Sequence, residues 1–86
     1  MLEQIKLALR ITHSALDDDI QRNIDSALLD LSRVGVNPNP DNTLVIKACE
    51  LYCKMQYDFD GKGEQFSVHY EKLRDSLSRA EEYREA

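Results

Sequence analysis

Residues 44–59 carry apolar side chains on more than one face of a helix, and this limits what the chain can become. Leu44, Ala48, Leu51, Tyr52, Met55 and Phe59 form one stripe at helical spacing. Ile46, Cys49, Cys53 and Tyr57 form a second, with Val45 beside it. A helix apolar over most of its circumference has to be enclosed on several sides. In a chain of 86 residues only two or three other helices are available to do so. Either this helix is the centre of a small bundle, or one of its faces meets another subunit.

The rest of the chain supplies the other helices. Leu2, Ile5 and Leu9, with Ala8, make a short stripe that Thr12, His13 and Ser14 interrupt. The second stripe is Leu16, Ile20, Ile24, Ala27, Leu28, Leu31 and Val34. Ser14 followed by Asp17 resembles a capping box, and Asp17, Asp18 and Asp19 suit the positive end of the helix dipole. Gly35 fits a left-handed helix terminus, which would let Val36 fold back onto Leu31. Pro38 and Pro40 forbid helix between the second and third segments, and Asp41 or Asn42 caps the third. Gly61 and Gly63 end it. Phe66, Tyr70, Leu73, Leu77 and Ala80 then mark a narrow, coiled-coil-like seam. Residues 81–86 are expected to fray.

No strand pattern competes with these periodicities. The expected fold is all-α, one domain over 1–86, a bundle of about four helices at 2–11, 16–34, 43–59 and 64–84. A chain this short buries only roughly 60–65% of its unfolded surface, so it stands to gain from oligomerisation.

The net charge of −5 argues against nucleic-acid binding, since affinity for phosphates comes from clustered Lys and Arg. No apolar run is long enough to span a membrane. The start of the chain lacks a signal-peptide pattern, and two cysteines make no disulfide framework; a soluble protein made in the cytosol is expected. A calcium loop opened at Asp58 has Asp60 and Gly63 in the required places, but Lys62 and His69 stand where ligands should. Cys49 and Cys53, one turn apart in an apolar helix, read as buried small side chains rather than as zinc ligands with His13 and His69. Asp17, Asp18 and Asp19 read as a helix start, Glu50 and Glu64 stand alone in the sequence, and no catalytic motif is present. The expectation is no enzyme, no cofactor and no metal.

All six aromatics, Tyr52, Tyr57, Phe59, Phe66, Tyr70 and Tyr83, lie in the second half. Four or five of them suit a core, which leaves one or two for an interface.

Together these residues resemble a known family. Ile5, Lys6, Leu7, Ala8, Leu9, Arg10 and Ile11, the acidic helix start, and Ala27, Leu28, Leu29, Asp30 and Leu31 before a short turn are similar to the head–tail connectors of tailed bacteriophages. Residues 51–57, the turn at Gly61, Lys62, Gly63 and Glu64, and the helix over 70–77 resemble the variant in phages and prophages of Gram-positive bacteria, often labelled DNA-packaging proteins. The resemblance implies a non-enzymatic virion protein, made in the host cytoplasm and placed at the head–tail junction. Its subunits form a ring of about a dozen copies. The ring docks below the portal protein, extends the DNA channel and receives stopper or tail-completion proteins. DNA passes without specific binding, and no membrane or cofactor is involved. A portal-gripping extension would be absent or reduced to 78–86. On this reading the interface residues are Cys53, Tyr57, Phe59 and Lys62 on the far face of the third helix and its hinge, with Tyr83 on the tail. The competing reading is a small helical interaction module with a regulatory or scaffolding role, binding a partner's helix in a groove.

Overall fold

The computed structural model describes residues 1–84, as four α-helices: α1 (Leu2–Ala8), α2 (Asp17–Arg33), α3 (Thr43–Gln56) and α4 (Gly63–Arg79). Short 3₁₀ turns follow α3 and α4, at Phe59–Gly61 and Glu81–Tyr83. The fold is a small all-α bundle, as the periodicities predict. Glu85 and Ala86, the last of the residues expected to fray and of the 78–86 extension, lie outside the described residues.

The helix termini explain where the elements stop. At the end of α2, Gly35 has φ +86°, Val36 N–H donates to the Leu31 carbonyl at 2.9 Å, and Gly35 N–H donates to that of Ser32 at 3.0 Å. This is the Schellman arrangement that Gly35 and Val36 foretell. The same arrangement ends α1 at Ala8 rather than near Ile11. Arg10 takes the left-handed position at φ +60°, and Ile11 N–H donates back to the Lys6 carbonyl at 3.0 Å. A non-glycine residue carries that position, so composition gives no warning of it. At the start of α3, Asn42 accepts from Leu44 N–H at 2.9 Å and Val45 N–H at 3.3 Å, which settles the choice between the two candidate caps.

The capping box does not form. Leu16 is the N-cap residue of α2 and makes no side-chain cap, and Ser14 contributes only its carbonyl, to Asp17 N–H at 3.2 Å. The Asp17 carboxylate turns instead to the nearly buried Lys6, whose Nζ lies 2.8 Å from Oδ1. That ion pair fastens α1 to the start of α2.

Helix α3 also stops short of its expected end, at Gln56 rather than residue 59. Asp58 turns left-handed at φ +48°, and Asp60 and Gly61 follow it there. Asp58 Oδ1 then accepts from Gly63 N–H at 2.7 Å and so caps α4 from five residues upstream. A Cβ at Gly63 would lie 2.6 Å from that oxygen. Gly63→Ala is therefore expected to destabilise the fold by about 1 kcal/mol, against the usual gain of such a change in a helix. Urea titration measures the difference; an unchanged or higher midpoint would mean the carboxylate cap contributes nothing.

Helix α4 runs only to Arg79, not to 84. Ala80 is extended (φ −85°, ψ 117°), and the chain folds back so that Arg84 bridges antiparallel to Val36. Asn37 N–H donates to the Tyr83 carbonyl at 2.7 Å, and the Tyr83 ring packs on the core. Burial of that ring and satisfaction of the 36–37 backbone outweigh the helix propensity of residues 80–84.

The interior has two lobes. Ile5 and Leu9 meet Ile20, Ile24 and Ala27 of α2 and Cys49 and Cys53 of α3. Leu31, Val36, Val45, Ala48, Leu51, Tyr70 and Leu77 form the second lobe, and Leu28 and Tyr52 touch both. Apart from Leu44, which stays exposed at the start of the helix, the two apolar faces of α3 are thus largely covered within the subunit, one by α1 and α2, the other by α4 and the end of α2. Of the two options for this helix, it takes the centre of the bundle.

Candidate docking surfaces

The turn between α3 and α4 gathers aromatic and basic side chains at one corner. The Tyr57 hydroxyl donates to Asp19 Oδ2 and accepts from Asn23 Nδ2 at 3.1 Å, which pins the ring to α2. Burial, then the Asp19 carboxylate, push its pKa up to about 12. Two cations lie over the Phe59 ring, Lys54 Nζ at 5.2 Å and the Arg10 guanidinium at 5.6 Å from its centroid. Lys54 also faces the Phe66 ring at 5.5 Å, and the two phenyl rings lie 6.3 Å apart. The cation–π contacts hold the left-handed turn after α1 against the hinge after α3. Lys62, exposed, begins α4 beside them.

Tyr57, Phe59 and Lys62 therefore share this corner. Cys53 does not reach the surface: it is fully enclosed in the first lobe, beneath Tyr57 and Phe59. Burial raises both cysteine thiols to about 12, so neither is a reactive thiolate near neutral pH. Tyr83 lies at the opposite end of α4, half-buried against the second lobe.

A second surface was not legible as a site. Between α2 and α4 runs an open groove of about 370 Å³. Tyr52 and Met55 of α3 line it, with Leu29 and Arg33 on one wall and Ser67 and Glu71 on the other. Its polar anchor is Asp30. Oδ1 accepts from Arg33 Nη2 at 2.5 Å; Oδ2 accepts from the Tyr70 hydroxyl at 2.7 Å and Arg74 Nη1 at 2.9 Å. Burial alone would raise the Asp30 pKa, but the three donors outweigh it and hold the carboxyl at about 2, against 3.8 ordinarily. Burial and the same carboxylate push Tyr70 upward, and the bond to Asp30 raises Arg74. Tyr70 stacks edge-on against Tyr52 at 5.3 Å. The network ties α2 to α4 across 40 residues of sequence, so no local spacing announces it.

Leu7 is 78% exposed and Leu29 71%. Both fall off the apolar stripe of their helix, and that offset was the available signal. Among the described residues, no group of three or more His, Cys, Asp or Glu side chains is placed to hold a metal ion, and no helix is long and apolar enough to cross a membrane.

Comparison with known proteins gives one finding. A family model described as phage connector protein matches residues 1–84. No curated protein matches the chain, and no solved structure does.

Proposed function

The chain belongs to the phage connector protein family, a structural rather than enzymatic kind of protein, and from that premise we propose that it is one subunit of a head–tail connector ring. The ring, of about a dozen copies, docks below the portal protein, extends the DNA channel and receives a stopper or tail-completion protein. It is made in the host cytoplasm and ends in the virion at the head–tail junction. The host is a Gram-positive bacterium, a part of the proposal that rests on the residue likeness alone.

The observation that carries this reading is the family match over nearly the whole chain. The corner of Tyr57, Phe59 and Lys62 supports it as the docking surface. Aromatic rings with a cation beside them suit a protein interface, and the exposed Lys62 takes no part in the core. Tyr83 marks a second contact, at the other end of α4. Cys53, enclosed beneath the corner, acts only by shaping it.

The acidic balance fits a channel wall that repels the passing genome. A map of the assembled ring with basic side chains lining the hole and acidic ones outside would sink that idea.

Lys62→Glu is expected to leave the melting temperature of the free chain unchanged while reducing its retention on DNA-filled heads by roughly tenfold, the scale of a lost interface charge contact. Retention is measured by sedimenting heads with labelled protein. Normal retention, followed by normal tail joining, would remove Lys62 from the docking surface. Omission of the chain altogether should leave filled heads that acquire no tails; completed virions without it would end the connector reading.

A further inference from the structure

The two most exposed leucines lie on opposite flanks of the molecule. Leu7 projects from the outer side of α1, opposite the core residues Ile5 and Leu9, with the exposed Glu3 one turn earlier on the same side. Helix α1 covers the Cys49 and Cys53 face of α3, and α4 covers the other. Leu29 rims the groove between α2 and α4, with Arg33 one turn later on the same wall. The Arg33 side chain is 72% exposed despite its bond to Asp30, so most of its guanidinium donors face outward.

These surfaces complement each other in charge and in apolar character. An antiparallel approach of α1 to α2 that sets Leu7 beside Leu29 also sets Glu3 beside Arg33, because each charge is one turn from its leucine. Tyr52 and Met55 in the groove supply apolar surface for the incoming leucine. We propose that α1 of one copy of this chain seats Leu7 in the α2–α4 groove of the next copy, with Glu3 facing Arg33. The contact joins two different surfaces, so each subunit keeps one free groove and one free α1, and repetition closes a ring if the rotation allows. It rests on the ring reading and identifies the surfaces that build the ring. A seven-residue helix buries far less than the ~1,200 Å² of a stable interface. The contact is therefore weak in solution and strengthened by assembly on a template.

The test uses the full chain on DNA-filled phage heads that lack the native protein, followed by a short bis-maleimide cross-linker. Cys49 and Cys53 are buried, so they leave the reagent to introduced thiols. The double variant L7C/L29C is expected to give a ladder of cross-linked subunits. An equimolar mixture of the L7C and L29C single variants should give dimers containing one of each, and neither variant alone should give any. L7D and L29D should each retain the unsubstituted chain's circular dichroism and lose at least about tenfold in binding to heads, the scale for spoiling an interface anchor. Dimers joined Leu7 site to Leu7 site, or full binding by both aspartate variants, would overturn this contact and leave the ring reading standing. Failure of the unsubstituted chain to bind heads would overturn both.

Discussion

Replacing Leu31 by alanine is expected to destabilise the fold by about 3–4 kcal/mol. Leu31 is fully enclosed among Val36, Val45, Ala48, Leu51, Tyr70 and Leu77. Its carbonyl also receives the Val36 N–H that closes the end of α2. The side chain thus packs the residue that its own backbone holds in place, and the site has little freedom to collapse around a cavity. A domain of this size has a stability of roughly 4–13 kcal/mol, so the loss is a large fraction of it. The melting temperature should fall by some 12–25 °C. Thermal unfolding followed by circular dichroism measures it; a drop of only a few degrees would mean that the second lobe is loosely packed.

The second large effect is at Asp30. Asp30→Ala leaves Arg74 and the Tyr70 hydroxyl facing a vacated site, and is expected to cost about 2–3 kcal/mol. That is below the figure for a fully buried pair, because both Asp30 and Arg74 retain some solvent contact. Arg33→Ala should cost well under 1 kcal/mol, since Arg33 is mostly exposed and the other two donors remain. The pH dependence follows from the depressed pKa. The contribution of Asp30 is complete above the unfolded carboxyl value near 3.8 and is lost as pH falls through about 2. Acid unfolding of Asp30→Asn, which has no charge to lose, should therefore show a flatter stability profile than the parent between these values. Parallel profiles would show that the three donors do not stabilise the carboxylate.

The periodicities carried the helix order and nearly all of the core, because burial of an apolar stripe is a local pattern that tertiary contacts preserve. Gly35 and Val36 announced their helix end because glycine is the residue that tolerates the left-handed position. The ends of α1 and α3 were hidden because Arg10 and Asp58 hold that position at a steric cost, which contacts elsewhere offset: Arg10 over Phe59, Asp58 on Gly63. Residues 80–84 read as helix and fold back instead, since the packing of Tyr83 on the second lobe and its bond from Asn37 span half the chain. A like distance in sequence concealed the Asp30 network, whereas Asp17 left a capping box for Lys6, a nearer partner on the preceding helix.

The candidate surfaces divide along the same line. That Tyr57, Phe59 and Lys62 share a corner was legible, because they lie within six residues at the end of one helix. The enclosure of Cys53 is not legible, since a helix with two apolar faces does not say which neighbour covers the second; α1 and α2 do. The α2–α4 groove joins residues from three helices, and only the packed bundle brings them together.

Electron cryo-microscopy of DNA-filled heads incubated with the purified chain would show whether the chain builds a connector ring. The expected map has a closed ring of all-α subunits, coaxial with the portal and beneath it, with the turn that holds Lys62 at a contact with portal or tail protein and α1 of each subunit against the α2–α4 groove of its neighbour. Heads whose portal vertex carries no added density, or carries it as isolated subunits without ring closure, would contradict it.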